Sequence, residues 1–302
     1  MEMSWHYLTQ QLINALSYGS ILALLAIGYT MIYGILGLIN FAHGEIFMIG
    51  AFFCYMLVTF SGVSFLTGFF AAIAGSVLTG FLIERLVYNP CLKRSPEVLT
   101  VFIASFGASL GLRNLFTMIF GDGRRSFPSF EFLEGIIITE SGIFINIKDL
   151  WIFGVTLFLV LATTLFIKYT KPGIAMRAVA YDANAARLVG VNSTTLVLLA
   201  FFIGSTLAGV SAVAYGVSYG IVNPSMGYII GLNGFIAAVL GGIGNVPGAA
   251  ISGYIIGMGE IMFVALLPPS YSAVRPIFVW GLLFLILFLK PSGLFRPNVK
   301  IG

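Results

Sequence analysis

The sequence predicts an all-α integral membrane protein, a polytopic bundle of eight or nine transmembrane helices with broken or re-entrant segments. Three observations carry this. The 302 residues are 59% hydrophobic and only 9% charged, with a mean hydropathy of +1.03; a soluble domain carries about 25% charged residues, so this chain cannot dress a water-facing surface. Apolar runs of the length a spanning helix needs, about 20 residues, recur along the whole chain. The ten-residue alternating segments of a membrane β-barrel are absent. The 36 glycines fit the same picture, because small residues let membrane helices approach closely.

In chain order the candidate spans fall near 11–33, 40–60, 64–84, 98–120, 150–168, 194–218, 228–243, 247–267 and 273–289. The second, starting at Asn40, and the seventh, ending before Gly241, are doubtful as full crossings. The whole of 1–302 reads as one transmembrane domain, with an outer loop at about 121–149 and a cytoplasmic segment at about 171–193. The start lacks the basic residues and small-residue cleavage pattern of a secretory signal, so the first run is expected to be a retained helix. Small-xxx-small spacings occur at Gly107/Gly111, Gly253/Gly257 and Ser205/Gly209, and plain bundle packing accounts for most of them.

Orientation follows the basic residues. The loop 85–97 (Arg85, Lys93, Arg94), the loop 168–193 (Lys168, Lys171, Arg177, Arg187) and the tail (Lys290, Arg296, Lys300) are expected in the cytoplasm. The loop 121–149 has no positive excess and is expected outside, where two β-prone runs flank Glu140-Ser141-Gly142 as a hairpin. Nine crossings then place the N-terminus outside and the C-terminus inside. The modest +4 charge is spread over loops and forms no nucleic-acid-binding patch.

Polar residues at membrane depth are costly, at least ~2.5 kcal/mol for a charge, and persist where they face water, a partner or a task. The stretch "NFAHGE" sets Asn40, His43 and Glu45 among Gly34, Gly37, Gly44 and Gly50. It reads as a helix that breaks and restarts. Asn40 or His43 is a candidate cap, and Glu45 lies in the first turn, where the macrodipole favours an acid. Two readings stand: solvated cap residues at an interface, or groups lining a pathway. A second Gly-rich stretch, "GLNGFIAAVLGGIGNVPGAAISG", carries Asn233, Asn245 and Pro247. Paired interrupted segments in the two halves of a chain point to a transport route; a tight hairpin between two helices is the plainer reading for Gly241–Gly248. Glu260 with an arginine, Arg113 or Arg275, suggests a buried ion pair that orders helices, with proton carriage as the alternative. Enzyme chemistry finds no support. His43 and Glu45 diverge on a helix, and with two histidines and two distant cysteines no metal-ligand set or nucleophilic triad exists. No metal and no cofactor are expected.

The stretch "KPGIAMRAVAYDANAARLVGVN" is Ala-rich, helical and too charged to span. A helix over Ile174–Leu188 is expected along the cytoplasmic face, with Ile174, Ala178 and Tyr181 at helical spacing, Arg177, Asp182 and Arg187 supplying polarity, and Gly190 stopping it. Its slim alanine surface, Ala183 included, suits a protein groove better than lipid.

Taken together, "GYTMIYGILGLINFAHGEIFMIGA", "ERLVYNPCLKRS", "MRAVAYDANAARLVGVN", "GIVNPSMGYIIG" and "AAVLGGIGNVPGAAISGYIIG" resemble, in order and over nearly the whole chain, the LivH-type permease subunits of branched-chain amino-acid ABC importers. The resemblance implies a pore shared with a second homologous permease subunit. It also implies separate ABC ATPase subunits docked on a coupling helix matching Ile174–Leu188, an extracytoplasmic solute-binding protein, and a multi-pass location in a bacterial or archaeal plasma membrane amid membrane lipid, with no nucleic acid involved. Family relatives also move other amino acids, amides or urea. The residues themselves agree on one point: no G-x-x-x-x-G-K-[ST] loop occurs, so this chain is not the ATPase. The candidate pathway residues, read from the broken stretches, are Asn40, His43, Glu45 and Asn233; the candidate coupling residues are Ile174, Arg177, Tyr181, Asp182, Ala183, Arg187, Leu188 and Gly190. The competing classes are an H⁺- or Na⁺-driven secondary carrier using His43, Glu45 and Glu260, and an uncoupled channel or scaffold.

Overall fold

A computed structural model of the chain describes residues 5–94, 97–138, 142–268, 274–291 and 293–295. Among them, nine apolar helices follow the predicted spans: α1 (Trp5–Leu36), α2 (His43–Ser61), α3 (Phe65–Ile83), α5 (Val98–Phe120), α6 (Ile147–Tyr169), α9 (Ser193–Tyr219), α10 (Met226–Gly241), α11 (Val246–Ala265) and α12 (Arg275–Leu289). Seven are long and apolar enough to cross a membrane. The chain is a multi-pass helical membrane protein. The exceptions are α10, with 16 residues, and α12, with 15; at about 1.5 Å per residue neither matches a ~30 Å hydrocarbon core.

Several expectations change. The doubt about the second span is misplaced: α2 has 19 residues and starts at His43, with Asn40 in the preceding turn. The doubt about α10 stands, and α12 joins it. The segment taken as a loop at 85–97 is helical as far as Arg94. After α3 the chain widens into one π-turn, Glu84–Tyr88, and continues as α4 (Asn89–Arg94). The expected single helix over Ile174–Leu188 is two, α7 (Lys171–Tyr181) and α8 (Ala183–Leu188).

The loop between α5 and α6 forms the expected hairpin. Strand β2 (Ile136–Ile138) pairs antiparallel with β3 (Phe144–Asn146), Ile137 opposite Ile145. The tip residues Glu140 and Ser141 lie outside the described residues, as do Arg296 and Lys300 of the tail. An unforeseen ribbon joins β1 (Arg125–Ser126) to β4 (Ile221–Val222), which follows α9. Both ribbons sit at one end of the bundle and α7–α8 at the other, because α6 and α9 each run the full distance between them.

Helix α1 is the mast. It packs chiefly on α11 and α9, and also on α10 and α6, and its residues from Ala15 to Ile32 are almost all buried. With no driving force from water inside a bilayer, such contact depends on close approach of backbones. Gly253 and Gly257 of α11 supply it: a Cβ on either would overlap the backbone of Ala23 or Gly19 on α1. Gly209 of α9 likewise seats α3, where a Cβ would stand 3.0 Å from the Ile73 Cα. Gly107 and Gly111 on α5 have nothing within 4 Å of an added Cβ, so this pair packs nothing inside the chain.

The two kinds of glycine should separate by mutation. Gly253→Ala or Gly257→Ala is expected to cost about 1–3 kcal/mol by forcing α1 and α11 apart, read as a lower melting temperature in detergent or nanodiscs. Gly107→Ala and Gly111→Ala are expected to leave the melting temperature unlowered.

Candidate functional site

The first break lies between α1 and α2. Gly37 adopts φ +65°, a left-handed conformation that ends α1 at little steric cost. The Asn40 side-chain oxygen accepts from the Ala42 N–H at 3.1 Å, holding the turn that launches α2. The Tyr88 hydroxyl, carried in by the π-turn, donates to the Ile39 carbonyl at 2.9 Å and satisfies an acceptor that the break frees. Of the two candidate caps, Asn40 therefore acts, though from within the turn. Ala42 occupies the N-cap position, and His43 caps nothing.

The reading of His43 and Glu45 as solvated interface residues is overturned. His43 is 0% exposed and Glu45 1%. The His43 ring lies edge-on to Tyr29, centroids 4.6 Å apart, in a space on α1 that only the missing side chain of Gly28 leaves free. Neither imidazole nitrogen has a hydrogen-bond partner. Glu45 points elsewhere, as the spacing requires: its Oε1 accepts from the Ser109 hydroxyl of α5 at 3.2 Å, while Oε2 has no partner and faces Gly227 of α10.

The two Gly-rich stretches do meet. Gly44 at the start of α2 lies against the backbone of Gly227 and Gly231 on α10, and Gly34 is close to Gly244. The space left between Tyr29, Tyr33, Ile39, Asn40, Phe235 and Ile243 is about 10 Å³, room for roughly one water. The pair thus forms a close-packed contact in this conformation. The second break is a tight hairpin: α10 stops at Gly241, Gly242 and Gly244 take positive φ, and the Asn245 side chain caps α11 by accepting from the Gly248 N–H at 3.1 Å.

Asn233 belongs to a different cluster, in the half of the bundle nearer the β-ribbons. Its amide nitrogen donates to the Tyr18 hydroxyl at 3.1 Å and to Glu260 Oε2 at 3.3 Å. Of the two candidate arginines, Arg275 pairs with Glu260, through its Nε on Oε1, and stacks over the Tyr18 ring at 4.9 Å. Arg113 lies instead over the Tyr228 ring at 5.4 Å. Tyrosines 18, 215, 219 and 228 and Trp280 complete the walls of an open cavity of about 400 Å³ around this group. Sequence reasoning passed over these aromatic residues and Ser109. Their one legible signal is a polar hydroxyl or indole recurring inside otherwise apolar spans.

At the far end, Thr170 starts α7 by accepting from the Gly173 N–H at 3.2 Å. Asp182 then interrupts the helix. Its backbone is extended, and its carboxylate accepts from the N–H groups of Asn184 and Ala185 at 2.8 and 2.9 Å, so the residue that ends α7 begins α8. Gly190, at φ +85°, follows the end of α8. Met176, Val179 and Ala186 are buried, and Ala183 is half-buried. Ile174, Tyr181 (70% exposed), Leu188 (89% exposed) and the unanticipated Val189 face outward with no cover from this chain. Arg177 donates to the Lys168 carbonyl at 3.2 Å and Arg187 reaches Ser193 at 3.4 Å; both remain exposed.

A family model described as the permease component of the branched-chain amino acid transport system matches residues 11–288. The high-affinity branched-chain amino acid transport system permease protein BraD of Pseudomonas aeruginosa is 38% identical, over 99% of both chains. The corresponding permease protein LivH of Escherichia coli is 37% identical, again over 99% of both. Among solved structures, a chain of PsaBC from Streptococcus pneumoniae in complex with Fab shares the fold, with a TM-score of 0.51 at 14% identity, over 96% of this chain and 94% of that one. A multi-pass bundle broken at two glycine-rich stretches, similar to these permeases from end to end, belongs to the family of branched-chain amino acid transport system permease components.

Proposed function

We propose that this chain is one half of the translocation pore of an ATP-driven importer for neutral amino acids of the leucine, isoleucine and valine class. Its N-terminus and β-ribbons lie outside and its C-terminus and α7–α8 inside the cell. A second homologous permease completes the pore, an extracytoplasmic binding protein delivers the amino acid at the ribbon end, and ATPase subunits dock at the other end. The observation that carries this is the pair α7–α8. Ile174, Tyr181, Leu188 and Val189 expose apolar surface on a capped helical corner, in a chain of the permease family whose sequence holds no phosphate-binding loop.

In this reading Asp182 and Gly190 set the shape of the corner, Ala183 anchors it to the bundle, Arg177 and Arg187 line its rim, and a rigid-body shift of the docked ATPases moves the bundle through it. Docking on α7–α8 is tested by Leu188→Glu and Tyr181→Ala. Both side chains are exposed, so the folded permease should keep its melting temperature, while co-purification with the ATPase subunits falls by about tenfold or more, as for loss of an interface hot spot. Full retention of the ATPase by both variants would sink the docking role.

The close-packed contact between α2 and α10 is the proposed gate of the pathway, with Asn40, His43 and Glu45 uncovered when α10 slides away and Asn233 at the outer approach. His43→Leu separates gate from scaffold. Because the imidazole is buried without a partner, an apolar replacement of similar size is expected to leave the melting temperature level or higher. ATP-driven uptake in proteoliposomes is nevertheless expected to fall severalfold. Undiminished uptake would remove His43 from the pathway.

A further inference from the structure

The cavity beside Asn233 has the chemistry of a receptor for a zwitterion. It holds one buried carboxylate, Glu260, and one guanidinium, Arg275, whose side chain is 35% exposed and faces the open side. The two charges cancel in a contact ion pair, which still presents a negative and a positive end as a fixed dipole. A free amino acid with an uncharged side chain is likewise neutral and dipolar. A solute with net charge would leave one charge unpaired in a poorly solvated site.

The donors and acceptors left over fit the two ends of such a solute. Arg275 spends its Nε on Glu260 and also hydrogen-bonds the Tyr219 hydroxyl. Three N–H donors then remain on its terminal nitrogens, enough for a two-pronged bond to a carboxylate. Asn233 spends its amide nitrogen on Tyr18 and Glu260, so the group it offers the cavity is its oxygen, an acceptor for an ammonium. The rings of Tyr215, Tyr219 and Tyr228 line the same cavity, and aromatic faces attract a cation. Ile229, Leu232 and Trp280 form an apolar wall for an aliphatic side chain. The volume, about 400 Å³, falls in the range of small-molecule sites.

We infer that this cavity is a binding station for the transported amino acid, with Arg275 taking the carboxylate, Asn233 and the tyrosine rings taking the ammonium, and the α10 and α12 wall taking the aliphatic side chain. The inference rests on the importer reading above and deepens it. The station receives the solute at the ribbon end, ahead of the close-packed contact between α2 and α10, and adds selection within the permease itself.

The experiment uses the complete transporter in liposomes: this chain, its second permease, the ATPase subunits and the binding protein. The probe is a photoreactive diazirine analogue of leucine, delivered by the binding protein, with cross-links mapped by mass spectrometry. Cross-links are expected on Ile229, Leu232 or Trp280 and should be suppressed by excess leucine. Arg275→Lys keeps the positive charge beside Glu260 but loses the planar fork. It is expected to lower both cross-linking and leucine uptake by about tenfold, whereas an ion pair with a purely structural role would tolerate lysine. Asn233→Leu, similar in size, is expected to do the same and decides the matter if Arg275→Lys fails to fold. Normal uptake without cross-links in the cavity, or wild-type uptake by both folded variants, overturns this inference alone. A wild-type assembly that takes up no leucine overturns the importer reading, and this one with it.

Discussion

The structure depends on how closely helix backbones can approach α1. Inside a bilayer, apolar side chains gain nothing by leaving lipid for protein, so the bundle coheres through contact area and through hydrogen bonds that lipid cannot offer. Gly253 and Gly257 bring α11 onto α1 at Ala23 and Gly19; Gly28 makes room for the His43 ring; Gly227 and Gly231 bring α10 onto the start of α2. These contacts join α1, α2, α10 and α11, the elements on which both broken stretches sit. The helices α5 and α6, by contrast, bury few of their residues and frame the bundle.

The same constraint explains the breaks. Unwound backbone is admissible at depth when every freed polar group is matched or enclosed by protein. At the first break Asn40 and Tyr88 supply that matching, and the π-turn is what swings Tyr88 into place. At the second, Asn245 supplies it, capping α11 and donating through its amide nitrogen to the Phe295 carbonyl at 3.1 Å. The polar residues at these sites are of two kinds. Some complete the backbone's hydrogen bonding. Others, His43 and one oxygen of Glu45 among them, are buried with nothing to bond and complete no hydrogen bond of the fold in this conformation.

Much of this was readable in advance. Among the described residues, hydropathy located nine apolar helices, because apolar runs of this length have little use outside a membrane or a core. The glycine clusters marked both breaks, and β-branched runs marked the β2–β3 hairpin. What escaped was decided by tertiary contact. The spacing Gly107/Gly111 looks the same in sequence as Gly253/Gly257, yet only the second pair has a neighbour to press on within the chain. The helix at 174–188 looked continuous because alanine favours helix on both sides of Asp182; the carboxylate's preference for bonding N–H groups ahead of it overrode that tendency. Asn233 was grouped with Asn40 and His43 by polarity alone, whereas its hydrogen bonds set it with Tyr18 and Glu260, beside Arg275 and a ring of tyrosines.

The division at Asp182 has a mechanical consequence. A continuous rod would hand on every displacement at its tip in full, including random jostling. Two short rods joined at an extended residue behave as an articulated linkage, stiff to pushing along either rod and compliant to bending at the elbow. In the docking role proposed for this corner, such a linkage would convey thrust along either rod and absorb bending at the elbow. The elbow is held by two hydrogen bonds to a single carboxylate, so its stiffness is open to change at one position without rebuilding either rod.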